Sequence, residues 1–157
     1  MTSNMKARAM SLFKLGWVPV PMYYNTKKPK VKRWSELSEM YDMSVTGLFS
    51  RNANIAVVCH GFVDIDLEFG TYEDLKALFP RFTWLADCPV LKTRRGLSIW
   101  VCCPDVMEYG RVLRFHVPGS QSTMLVEMRT GNGACRLAYG AFNDVEYRFV
   151  QHDPVEG

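Results

Sequence analysis

Nowhere does this chain contain the roughly 18 consecutive apolar residues that a membrane span needs, and no apolar segment follows its charged N-terminus as in a signal peptide. A cytoplasmic protein without a membrane partner is therefore expected. Cysteine is present but badly spaced. Cys59, Cys88, Cys102, Cys103 and Cys135 make an odd number with no C-x-x-C pair, which argues against both a disulfide framework and a zinc ribbon. Cys59, Cys102 and Cys135 lie in apolar runs and read as small core residues. His60, His116 and His152 are scattered. There is no internal repeat, no low-complexity stretch and no linker, so residues 1–157 read as a single domain.

Strong charge of one sign is also lacking. A net charge of +3 is too small to argue nucleic-acid binding by itself. Its distribution says more. Lys27, Lys28, Lys30, Lys32 and Arg33 form one basic cluster, Lys92, Arg94 and Arg95 a second, and Arg111 with Arg114 a third. Each could collect phosphates or simply be a solvated loop.

The apolar content of 48% is enough for a real core, and its patterning predicts the elements. A helix is expected over 4–15, capped by Ser3 and stopped by Gly16, then an edge strand over 17–22. Short helices are expected over 34–40 and 44–50. Residues 54–59 and 62–66 read as two strands joined at a His60-Gly61 hairpin. A helix over 72–79 ends at Pro80. Strands follow over 90–93, 97–102, 125–129, 134–139 and 146–150, with Gly131-Asn132-Gly133 as a turn. Early helices and later strands predict an α+β domain with an antiparallel or mixed sheet.

Three segments carry possible chemistry. Asp64 and Asp66 end an apolar run and point to the same side of a strand. Two such carboxylates repel and are costly to desolvate, and a divalent cation bound by oxygen ligands would relieve both problems. A solvated strand end is the plain alternative. Thr93, Arg95 and Ser98 flank Gly96, which would let the chain approach a ligand closely. They are either triphosphate donors or parts of an ordinary hairpin. Glu127 is a lone acid in an apolar strand. It is either a third metal carboxylate or the ion-pair partner of Arg129 on the same strand face.

Six pieces in this order resemble the primase-polymerase (prim-pol) domain of the archaeo-eukaryotic primase superfamily, over roughly residues 4–150. They are Gly16 to Pro21, Lys27-Lys28-Pro29 with Lys32-Arg33-Trp34, Asn54 to Asp66, Thr93 to Trp100, Val126 to Arg129 with its glycine turn, and Tyr147-Arg148-Phe149. The resemblance implies the fold of that catalytic domain, a sheet flanked by helices. It implies a DNA primase/polymerase of a plasmid, phage or mobile-element replication system, joining nucleoside triphosphates on a single-stranded DNA template. It implies Mg²⁺ or Mn²⁺ on Asp64, Asp66 and Glu127. Thr93, Arg95, Ser98, Lys28 and Arg129 would serve the nucleotide, with a surface lysine in a basic loop as the plain alternative for Lys28. Trp34, Tyr23 or Tyr24 would stack template bases. The helicase domain that often follows in the family is not in this sequence, so a helicase in trans is a further expectation.

Two departures touch the nucleotide pocket. Ser98 stands where the family has a histidine, and a serine cannot become a cation. Ala138-Tyr139-Gly140 replaces the family's Pro-Pro-Ser. A degenerate domain that binds nucleotide or nucleic acid without polymerising is thus one rival. A metal-dependent nuclease is another, although Arg129 stays protonated where such an enzyme needs a lysine.

Overall fold

The computed structural model describes residues 5–36, 47–49, 53–103, 112–116 and 125–156. Helix α1 (Met5–Lys14) leads into strand β1 (Pro19–Tyr23) and a 3₁₀ turn at Trp34–Glu36. Strand β2 (Ala53–Leu67) follows, then helix α2 (Tyr72–Lys76) and a 3₁₀ helix at Thr83–Asp87. The remaining strands are β3 (Val90–Lys92), β4 (Leu97–Cys102), β5 (Val112–His116), β6 (Leu125–Phe142) and β7 (Val145–Gln151). The expected Ser3 cap and most of the helices over 34–40 and 44–50 fall outside the described residues, and residues 47–49 are not helical.

The architecture corrects the expected α+β, primase-like fold. The strands run in the order β1-β2-β4-β3-β7-β6-β5, and β2 also pairs with β6. That last pairing closes β2, β4, β3, β7 and β6 into a small antiparallel barrel, with β1 and β5 as extensions. The only α-helices among the described residues have ten and five residues. The protein is mostly β, and a closed ring replaces a sheet layered with helices.

Closure depends on two long bent strands, which replace four short ones in the sequence reading. β2 runs straight through His60-Gly61, and β6 runs through Gly131-Asn132-Gly133. Both glycines have positive φ, 79° at Gly61 and 88° at Gly131. Their register slips on either side of the Cys59–Gly131 pair. Each glycine therefore makes a bulge that bends its strand instead of a turn that ends it. The bend lets the first half of β2 hold β1 while its second half holds β4. The true tight hairpin is Asn143-Asp144 between β6 and β7, where both residues have positive φ as a two-residue primed turn requires.

Strand alternation separates two surfaces. Ile65, Leu67, Val90, Leu97 and Ile99 pack outward beneath Leu75 and Leu85 from the two short helices. Asp64 lies opposite Trp100, Ser98 opposite Leu91, and Leu91 opposite Phe149, so these share the inner face. An aromatic plug fills one end of the barrel. Trp100 lies 4.7 Å from Phe62 and 5.0 Å from Phe149, centroid to centroid. Helix α1 closes this end through Met5, Ala9 and Leu12. Cys59 is buried, as its apolar run suggested, but Cys102 is exposed at the end of β4.

Candidate functional site

The inner face turns from apolar to charged within a few residues. Asp66 pairs in register with Ser98 on one side and Glu127 on the other, and Asp64 likewise with Trp100 and Arg129. The two aspartates and Glu127, all buried, thus lie side by side on adjacent strands. Arg136, only 2% exposed, comes down from the upper half of β6 to meet them. Its Nη1 lies 3.2 Å from Asp66 Oδ2, and its Nε 3.9 Å from Asp64 Oδ2. Arg129 Nη2 donates to Glu127 Oε2 at 2.8 Å.

Ser98 is placed behind this row. Fully buried, it donates a hydrogen bond to Asp64 Oδ1 and accepts one from the Trp100 indole at 3.0 Å. The hydroxyl ties the carboxylate to the aromatic plug. Asp64 Oδ2 has no hydrogen-bond partner. Burial raises the Asp64 pKa to about 6; Arg136 and the Ser98 hydrogen bond oppose the shift and Asp66 adds to it.

A cleft of about 320 Å³ opens beside Asp66; Asp64 and Glu127 do not line it. Asp66, Thr93 and Arg95, expected from sequence to serve one site, line it together with Lys27, Arg94 and Arg136. Glu68, Phe142 and Tyr147 complete the wall. Lys27 Nζ sits 4.6 Å from the Phe142 ring centroid, and the Arg94 guanidinium carbon 5.9 Å from the same ring. Burial and then Arg136 and Arg129 lower the Lys27 pKa, so the lysine is held in an excess of positive charge. Such a wall attracts an anion.

The loop that carries Lys27 is fixed from two directions. The Asn25 amide donates to Asp144 Oδ1 at 3.0 Å and accepts from the Asp144 amide at 2.8 Å. Fully buried Asn54 donates to Thr26 O at 3.0 Å and exchanges hydrogen bonds with both backbone groups of Ala141. On the opposite wall, Thr93 Oγ1 accepts from the Gly96 amide at 3.2 Å. Gly96 itself packs against the backbone of Leu67 and Phe69, leaving no room for a Cβ. The close approach expected of Gly96 is thus made to the protein's own chain and not to a ligand.

Lys28 is exposed, and its amide donates to Thr26 Oγ1; its neighbour Lys27 is the one in the cleft. Ser98 and Arg129 do not line the cleft, though both touch the carboxylate row. Tyr23 and Tyr24 are more than half exposed, whereas Trp34 packs against the cluster around Val20 and Met22. No protein-family model matches the chain, and no curated protein matches it. The prim-pol resemblance rests on its quoted motifs alone. Sequence reasoning missed Arg136, although a lone charge in the apolar run Ala134 to Tyr139 is the same signal that drew attention to Glu127.

The donor chemistry of the row suits Mg²⁺ or Mn²⁺: three carboxylates, with one buried oxygen lacking a hydrogen bond. Their present placement suits arginine. Among the described residues no three Asp, Glu, His or Cys side chains converge on a metal position.

Proposed function

We propose that the cleft binds a nucleoside triphosphate and that the protein is a DNA primase/polymerase, joining nucleotides on a single-stranded template by metal-dependent nucleotidyl transfer. The observation that carries this reading is the juxtaposition of an anion-attracting wall, Lys27, Thr93, Arg94, Arg95 and Arg136, with Asp66 in the same cleft. Asp64, Asp66 and Glu127 would hold Mg²⁺ or Mn²⁺. Bound there, such an ion would offset triphosphate charge and acidify the attacking hydroxyl.

The chain's own groups have separate tasks in this scheme. Lys27, Arg94 and Arg95 gather phosphate oxygens, the arginines through their forked donors. Thr93 accepts the Gly96 amide, which leaves its hydroxyl proton for a phosphate oxygen. Half-buried Phe142 offers ring surface to the rest of the nucleotide. Ser98 orients Asp64 through its hydrogen bond. Exposed Tyr23 and Tyr24 offer stacking surfaces to template bases.

A second reading, a nucleotide-binding module without synthesis, is favoured by one observation. Arg136 and Arg129 already occupy oxygens of Asp66 and Glu127. Nothing in the site favours the nuclease, since Arg129 is paired and cannot act as a base.

Extension of a labelled primer-template with dNTPs and Mn²⁺ or Mg²⁺ tests the proposal. Synthesis by the wild type, lost in Asp64→Ala/Asp66→Ala, is expected. Bound dATP without synthesis would leave the binding module, and absence of dATP binding would remove both readings.

A further inference from the structure

Two buried polar atoms face each other in the site without a hydrogen bond, Asp64 Oδ2 and Arg136 Nε, 3.9 Å apart. The other arm of the same guanidinium bonds Asp66 Oδ2 at 3.2 Å. Arg136 thus neutralises an aspartate pair, bonding Asp66 but leaving the facing oxygen of Asp64 without a hydrogen bond. Its front side is part of the cleft wall, beside Lys27, Thr93, Arg94 and Arg95. One cation therefore stands between two places for negative charge: the aspartates behind it and any anion in front.

Without ligand, the guanidinium prevents two buried carboxylates from standing unpaired, an arrangement that is strongly destabilising. A divalent cation on the same aspartates would be repelled by it at close range. Phosphate oxygens in the cleft offer the guanidinium a bidentate partner. We propose that Arg136 is an internal counter-ion, drawn off Asp66 by a phosphate group in the cleft, so that anion and divalent cation bind cooperatively. The inference rests on the triphosphate reading of the cleft. It adds that, until phosphate engages it, the protein's own arginine opposes metal at the aspartates.

The distinguishing consequence is a pair of effects with opposite signs. Removing the guanidinium takes a competitor away from the cation and a partner away from the anion. The test measures each ligand alone: Mn²⁺ by the paramagnetic resonance signal of the free ion, and labelled dATP in EDTA by equilibrium dialysis. Arg136→Gln is expected to bind Mn²⁺ roughly tenfold more tightly than the wild type and dATP roughly tenfold more weakly. Arg136→Lys is expected to shift both in the same directions by less. It keeps a positive charge beside the aspartates, so it carries the test if the glutamine variant does not fold.

Affinities that fall together, or do not move, would overturn the proposal and make Arg136 a structural partner of the aspartates only. If the wild type still binds dATP in that case, the cleft reading survives. A wild type that binds neither dATP nor Mn²⁺, separately or together, would overturn the cleft reading and this inference with it.

Discussion

Replacing Asp64 by asparagine removes one buried charge and keeps the side-chain shape. In the folded protein the Asp64 pKa is raised from 3.8 to about 6, chiefly by burial. The folded state therefore holds its proton through a pH range in which the unfolded chain has already released it. Unfolding free energy then falls as pH rises through that window, from about pH 4 to about pH 6. A shift of about two units corresponds to roughly 3 kcal/mol, fully present below the lower pKa and lost above the upper one. Asp64→Asn has no such titration. Its amide can still accept the Ser98 hydrogen bond, while its NH₂ group faces Arg136; that mismatch adds a cost that does not vary with pH. Urea unfolding of wild type and variant from about pH 4 to about pH 8 gives the difference directly. The variant is expected to gain roughly 3 kcal/mol on the wild type across the window. A difference that stays flat, or a wild type that gains instead, would refute the reasoning. Arg136 would then stabilise the ionised carboxylate by more than burial costs.

Three further substitutions test the frame of the site. Gly96→Ala places a Cβ against the Leu67 carbonyl oxygen and 2.6 Å from the Phe69 amide nitrogen. Both are backbone atoms that cannot step aside, so a loss of about 4 kcal/mol or more is expected in urea unfolding. Asn54→Ala strands Thr26 O and both backbone groups of Ala141, at about 3 kcal/mol, and frees the loop that carries Lys27. Weaker dATP binding should accompany the lower stability. Thr71→Ala breaks the capping box of α2, where the Thr71 hydroxyl and Asp74 serve each other's backbone amides. A cost of about 1 kcal/mol is expected, with dATP binding unchanged because α2 packs on the outer face.

Local elements were largely legible in the sequence because local rules govern them. Helix α1 follows from its apolar side, and β4 from its β-branched and aromatic run. The closed barrel was not legible. The signals read as hairpins at Gly61 and Gly131 are bulges, and a single sequence cannot say whether a glycine with positive φ ends a strand or bends it. That ambiguity turned two long strands into four short ones and hid the β2–β6 pairing that closes the ring. The site was legible in part. Asp64, Asp66 and Glu127 stood out as acids in apolar strands, and the register sets them side by side. Arg136 was missed because its importance comes from a partner distant in sequence, Asp66; Lys27 stood out only as one of a basic cluster, and the nucleotide role went to Lys28 because the Phe142 ring that Lys27 meets is likewise distant.

The central claim is that the basic cleft and the buried carboxylates act as one site. Equilibrium titration of labelled dATP, with and without Mn²⁺, into the wild type and Asp66→Asn tests it most directly. Mn²⁺ lowers the charge on dATP, so a cleft acting only through its cations would bind the complex more weakly. The account predicts the reverse: Mn²⁺ tightens dATP binding to the wild type by roughly tenfold or more and fails to do so in Asp66→Asn. Binding that Mn²⁺ weakens or leaves unchanged in the wild type, or tightens equally in the variant, would contradict it.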